Sequence, residues 1–151
     1  MTVAVRDVEK SDYDGWRPLW DGYNAFYGRE GPTALAESIT AATWQRFFDP
    51  NELVFGLVAT DGARLLGIAH YLFHRSTTRY ELTSYMQDLF TAPEARGGGV
   101  GRALIEAVYA RSAAAGVKRV YWQTHATNDT ARRLYDGIAK HLGFIVYSHD
   151  V

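Results

Sequence analysis

The run Arg96-Gly97-Gly98-Gly99-Val100-Gly101-Arg102 has the most chemical content in this chain. It lies between an apolar run ending at Thr91 and an Ala- and Leu-rich run with helical period. Glycine admits positive φ and lets another molecule approach the main chain closely. A helix opening there presents unpaired N–H groups and a partial positive charge. The combination makes an anion site suited to a phosphate or diphosphate, and Arg96 and Arg102 add full charges. A Walker loop needs Gly-Lys-Ser/Thr at its end, and Gly101-Arg102-Ala103 is not that. A dinucleotide fingerprint needs a third small residue where this chain has Arg102 or Leu104. A purely structural turn is the alternative for the glycines taken alone. Other chemistries find little support. The chain has no cysteine, which excludes disulfides, thiolate nucleophiles and Cys-based zinc sites. There is no Gly-x-Ser-x-Gly elbow for a hydrolase. His70 and His74 stand four apart on an expected strand and so share a face, but without a third ligand they imply no metal site.

The elements that must position this loop follow from periodicity. Thr2 to Arg6 reads as a short strand. Trp16, Leu19, Trp20, Tyr23, Phe26 and Tyr27 recur at helical spacing within Asp12 to Tyr27. Gly28, Gly31 and Pro32 end that helix, and Thr33 is the expected N-cap of a second one reaching Phe48. Strands are expected at Leu53–Thr60, Arg64–His74 and Tyr80–Thr91, the first two joined by a turn at Asp61-Gly62. A helix from Val100 to Ala115 closes at Gly116. Val117–Gln123 reads as a strand, Asn128 or Asp129 to about Lys140 as a helix, and Phe144–Tyr147 as a final strand. The order β-α-α-β-β-β-α-β-α-β describes one mixed α/β domain over residues 1–151, with antiparallel hairpins first and a crossover later.

Composition narrows the class further. With 151 residues the chain is long enough to bury a core. Sixteen basic against 17 acidic residues leave a net charge of -1, unlike a general nucleic-acid binder. No stretch reaches the roughly 18 apolar residues of a membrane span, and no signal-peptide core opens the chain, so the expected compartment is the cytoplasm.

Arg96-Gly97-Gly98-Gly99-Val100-Gly101 resembles the Arg/Gln-x-x-Gly-x-Gly/Ala signature of the GCN5-related N-acetyltransferases. The resemblance extends upstream through Leu89-Phe90-Thr91-Ala92-Pro93. It extends downstream through Asn128, Ala131, Leu134 and Tyr135 to Gly143-Phe144. It covers about Tyr80 to Tyr147. Tyr85 to Leu89 and Val120 to Thr124 are similar to the small yeast-type histone, polyamine and D-amino-acid acetyltransferases of that family.

The resemblance implies an N-acetyltransferase fold that binds acetyl-CoA where two parallel strands splay, here those ending at Thr91 and Thr124. Its pantetheine arm would lie along Leu89, Phe90 and Thr91. Its diphosphate would sit on the amides of Gly97, Gly98, Gly99, Val100 and Gly101, with Arg96 and Arg102 nearby. Asn128 would bond near the pantetheine or cap its helix, and Ala131 would leave room. Tyr135 takes the place of the general acid. A main-chain N–H such as that of Phe90 would hold the oxyanion. For the base, some relatives carry a glutamate where this chain has Gln87, which cannot take a proton. Asp88, Glu81, His125 or a water chain are the candidates, and strand alternation lets only one of Gln87 and Asp88 face the cleft.

In that family the first two helices wall the acceptor site. Trp20, Tyr23 and Tyr27 could then cradle an ammonium, Glu30 could pair with it, and Trp16 and Phe26 read as core. The expected acceptor is a primary amine: a polyamine, an amino acid or another small amine. A protein lysine or histone tail is the alternative, as is a module that binds CoA without catalysis. No metal and no nucleic-acid or membrane partner is expected, and a homodimer through the later strands is.

Overall fold

The computed structural model describes residues 2–151. Strand β1 (Ala4–Asp7) leads through a 3₁₀ turn to helix α1 (Tyr13–Phe26) and helix α2 (Glu37–Arg46). Then come β2 (Val54–Thr60), β3 (Leu65–His74) and β4 (Thr83–Thr91). Helix α3 (Val100–Ala114), β5 (Val120–Tyr121) and α4 (Asp129–Ile138) complete the order. The five strands form one sheet in sequence order. β1 to β4 are antiparallel neighbours, and β5 lies parallel to β4. Only β4–β5 needs a crossover, and α3 supplies it.

The helices cover both faces of the sheet. A Cβ on Gly67 of β3 would sit 2.8 Å from Val100 and 3.1 Å from Leu104 of α3, so α3 presses there without room for a side chain. His70, three residues on and hence on the opposite face, meets Trp16 of α1. Trp16, Leu57, Leu66, Ile68, Leu104 and Ile105 are fully buried. The rings of Trp16, Trp20 and Tyr23 stack in succession along α1, with centroids 5.6 and 5.8 Å apart.

Several expectations need correction. Thr33 does not cap α2: its hydroxyl donates to the main chain at Gly28 and Glu30, closing a 3₁₀ turn at Gly31–Thr33, and α2 starts only at Glu37. Local side-chain to main-chain bonding competes with helix here. Phe26 is not core; it is 59% exposed on the last turn of α1, past the sheet. The expected strand Val117–Gln123 shrinks to Val120–Tyr121, paired with Ser84 and Tyr85. Phe144–Tyr147 forms no strand, and its four side chains are exposed. Two paired residues on β5 offer too short a ladder to offset the entropy of fixing another strand within this chain.

Candidate active site

The site begins at a break in the β3–β4 ladder. His70 pairs with Asp88 but Tyr71 pairs with Met86, so Gln87 is an extra residue on β4. A bulge of this kind re-aims neighbouring side chains. It overturns the alternation expected at this point: Gln87 and Asp88 line the same cavity, together with Tyr85.

That cavity has a volume of about 780 Å³. Trp20, Tyr23 and Tyr27 of the α1 region wall one side, and Thr124 and His125 another. Asp88 is buried, and its Oδ2 lies 2.9 Å from His70 Nδ1. The Tyr23 hydroxyl donates to the Gln87 carbonyl at 3.3 Å. Burial, with the Asp88 charge adding, holds the Tyr23 and Tyr27 phenols above their usual range. Arg29 opposes that effect at both rings; it stands 5.8 and 5.5 Å over them, and the Asn24 carbonyl fixes its Nε at 2.7 Å. The cavity therefore carries a carboxylate on the strand side and a guanidinium on the helix side, with aromatic rings between them. Arg46 also lines it.

The glycine loop sits beyond the end of β4. Gly97 and Gly99 have φ of 80° and 83°, and a Cβ on either would meet open space. Left-handed backbone at these two positions calls for glycine. Gly99 is the N-cap of the 15-residue helix α3, and among the described residues no side chain caps that end. Its first N–H groups are thus free for an anion. Arg96 lies over the Phe90 ring, and its Nε donates to the Thr91 carbonyl at 3.3 Å. Arg102 is exposed and paired with Glu106 at 2.9 Å.

Between loop and cavity the strands part. β4 and β5 pair only at Ser84–Val120 and Tyr85–Tyr121, while β4 runs on to Thr91. Ala92 N–H donates to Leu66, so by the two-residue period of the ladder the Phe90 main-chain groups also point at β3. Those of Leu89 and Thr91 point into the gap, so the Phe90 N–H, the expected oxyanion donor, faces β3 instead. This free edge and the uncapped α3 terminus fit an extended chain ending in a diphosphate, as in acetyl-CoA.

Helix α4 closes the gap. Asn128 caps it, accepting from Ala131 N at 3.3 Å and donating to Thr124 at 3.3 Å. Leu134 lies 3.5 Å and Thr91 3.9 Å from where a Gly101 Cβ would stand, so α4, α3 and β4 converge. Tyr135 packs edge-on against Trp122 at 5.3 Å. Burial, with the Tyr27 phenol adding, pushes its phenol up to about 12, so it holds its proton at neutral pH.

Glu30 does not line the main cavity. It lines a second, smaller cavity with Arg17, Asp21 and Glu37, and its main chain joins the turn closed by Thr33. His74 does not act with His70, since its Nε2 meets the Tyr121 hydroxyl at 2.7 Å. Sequence reasoning missed Arg29 and Arg46, which no motif marks. It read His70 only as a possible metal ligand, because its pairing with Asp88 depends on the bulge.

Comparisons with known proteins agree with this geometry. The model of the acetyltransferase (GNAT) family matches residues 16–144. The D-amino-acid N-acetyltransferase HPA3 of Saccharomyces cerevisiae is 34% identical over 150 residues, 98% of this chain and 91% of that one. The uncharacterized N-acetyltransferase YhfO of Bacillus subtilis is 28% identical, over 99% of this chain and 98% of its own. An integron cassette protein from the mobile metagenome of V. cholerae superposes with a TM-score of 0.78 at 24% identity, covering 100% of this chain and 94% of the other. The aminoglycoside acetyltransferase AAC(6')-Iy, solved with a CoA-containing bisubstrate analog, does so at 0.81 and 14% identity, covering 100% and 99%. With its signature loop, sheet and near-full-length relatives in agreement, the chain belongs to the acetyltransferase (GNAT) family and is an acetyl-CoA-dependent N-acetyltransferase.

Proposed function

We propose that this enzyme acetylates the primary amine of a small molecule, an amino acid foremost, by direct attack within a ternary complex. The observation carrying this is that one cavity is lined by the Asp88 carboxylate, by Arg29 and Arg46, and by the rings of Trp20, Tyr23 and Tyr27. An ammonium suits Asp88 and the rings, and a carboxylate suits the arginines. The printed activity of the relative HPA3, on D-amino acids, supports the same class. A polyamine carries no group for the arginines, and a lysine tail entering the cavity would bring its positive charge toward them.

Acetyl-CoA supplies a thioester as acyl donor. Gly97 to Gly101 would bind its diphosphate through main-chain N–H groups, with Arg96 and Arg102 beside it. Leu89 and Thr91 would pair with the pantetheine through the main-chain groups that face the gap, with Phe90 between them, and Ala131 would leave that arm its passage. A free alkyl ammonium has a pKa of about 10, so it must lose a proton before it attacks. Asp88 is the group we assign to take that proton, while His125, exposed at the cavity's other wall, is the second candidate. The Leu89 N–H would hold the oxyanion, and Tyr135, protonated at working pH, would give its proton to the departing sulfur. Gln87 and Tyr27 would contact the amine.

Exposure of Phe144, Ile145, Val146 and Tyr147 supports a homodimer formed through that segment. We place the enzyme in the cytoplasm, in keeping with a chain that has no cysteine; no described helix is long and apolar enough to cross a membrane. The test is thiol release from acetyl-CoA across polyamines, D- and L-amino acids, aminoglycosides and lysine peptides. Amino acids should rank first in kcat/KM. A ranking led by lysine peptides would overturn the small-molecule assignment, and turnover with none would favour a non-catalytic CoA-binding module.

A further inference from the structure

We propose that His70 is a positioning residue for acetyl transfer, locked by Trp16 in the neutral tautomer that orients the Asp88 carboxylate and leaves its charge uncancelled. This rests on the assignment of Asp88 to the amine site. Three buried side chains stand in a line. Trp16 Nε1 donates to His70 Nε2 at 3.0 Å, and His70 Nδ1 lies 2.9 Å from Asp88 Oδ2. Trp16, His70 and Asp88 are 0, 3 and 8% exposed, so water cannot replace these contacts cheaply.

The proton positions follow from what each group can do. An indole N–H only donates, so His70 Nε2 must offer its lone pair. The ring proton is then on Nδ1 and points at Asp88. A second ring proton would break the Trp16 bond and set two donors face to face. The His70–Asp88 pair therefore carries one negative charge, and it lies on the carboxylate. Oδ2 is held by His70, which leaves Oδ1 for the ligand's ammonium.

The surroundings reinforce this state. The rings of Trp20 and Phe47 stand 5.4 and 4.7 Å from the His70 ring. The titratable or charged groups lining the same cavity are Asp88, Tyr23, Tyr27, Tyr71, Tyr85, His125, Arg29 and Arg46. Burial keeps all four phenols protonated, so none supplies a negative charge to draw a second proton onto His70. A histidine serving only to fill the core would need neither bond, and an apolar residue would pack there without the cost of burying a ring nitrogen.

Two measurements test this. In the intact, ligand-free protein, ¹⁵N NMR of the histidine rings should show His70 protonated on Nδ1 alone at every pH at which the enzyme is active. In Trp16→Phe the ring stack persists but Nε2 is released. Its imidazole is then open to a second proton, which would cancel the Asp88 charge. Relative to wild type at the same pH, the amine KM should rise several-fold more at about pH 6 than at about pH 8, with acetyl-CoA KM unchanged. If Trp16→Phe does not fold, His70→Gln, whose amide can accept from Trp16 and donate to Asp88, should retain most activity while His70→Leu loses it. An Nε2-protonated or titrating His70 in an active enzyme overturns this proposal alone, as does an equal KM rise at both pH values. Turnover with no amine overturns the acceptor assignment and this proposal together.

Discussion

Asp88→Asn tests the acceptor site directly, because the structure sets opposite expectations for fold and function. Asp88 Oδ2 accepts from His70 Nδ1 at 2.9 Å. An asparagine carbonyl can accept the same bond, so the fold should survive with Tm within a few degrees. The amide then turns its NH₂ toward the place that Oδ1 holds, and a donor there faces the ammonium. Losing a hydrogen bond to a charged group costs about 1.5–3 kcal/mol, or roughly 10- to 150-fold in amine KM. Losing the proton acceptor removes a further factor of about 10² to 10⁴ from kcat. The combined fall in kcat/KM is about 10³- to 10⁶-fold. Thiol release under steady-state conditions measures it, and calorimetry with CoA should show unchanged affinity, since the glycine loop lies elsewhere. A variant within tenfold of wild-type kcat/KM would refute the assignment of Asp88 and transfer the role of base to His125 or water.

Tyr135→Phe should lower kcat by about 10²- to 10⁴-fold while acetyl-CoA affinity by calorimetry stays within about twofold; equal turnover would remove Tyr135 as acid. Gly67→Ala places a Cβ 2.8 Å from both the Phe90 carbonyl and Val100, and overpacking of that kind costs about 1–3 kcal/mol. At about 2–4 °C per kcal/mol for a chain of this size, thermal melts should show a clear drop in Tm, and an unchanged Tm would contradict the packing of α3 on β3. Burial pushes the Tyr71 and Tyr135 phenols up to about 12, whereas unfolded phenols ionise near 10. Between those values the unfolded chain binds fewer protons than the native one, so stability falls as pH rises. Melting temperature should decline from about pH 10 to about pH 12.

Much of the fold was legible in the residues. The hairpin at Asp61-Gly62, the glycine-rich entry to α3, Gly116 after it and the Asn128 cap of α4 are local events, decided by residues a few positions apart. The glycine loop proposed to hold the diphosphate belongs to this class, because such chemistry resides in the main chain and glycine determines where main chain can be bare. Thr33 shows the limit of such reasoning. Its hydroxyl could cap the following helix or bond back to the preceding main chain, and only the folded turn selects the second.

The acceptor site was legible only in part, and its decisive features are non-local. One extra residue at Gln87 reverses the expected alternation of β4, and no pattern in the strand announces it. His70 meets Asp88 across 18 positions and Trp16 across 54, in contacts that exist only once three elements have packed. Arg29 acquires its place through the Asn24 bond and the rings beneath it. Phe144 to Tyr147 read as a strand by composition, yet a strand needs an edge long enough to pair with, and β5 offers two residues. The amino-acid order alone thus determined the glycine loop and the family, since glycines, caps and turns act on their own neighbours. Which side chains share a cavity, and in what protonation state, depended on register and packing between distant segments, and these exist only in the assembled fold.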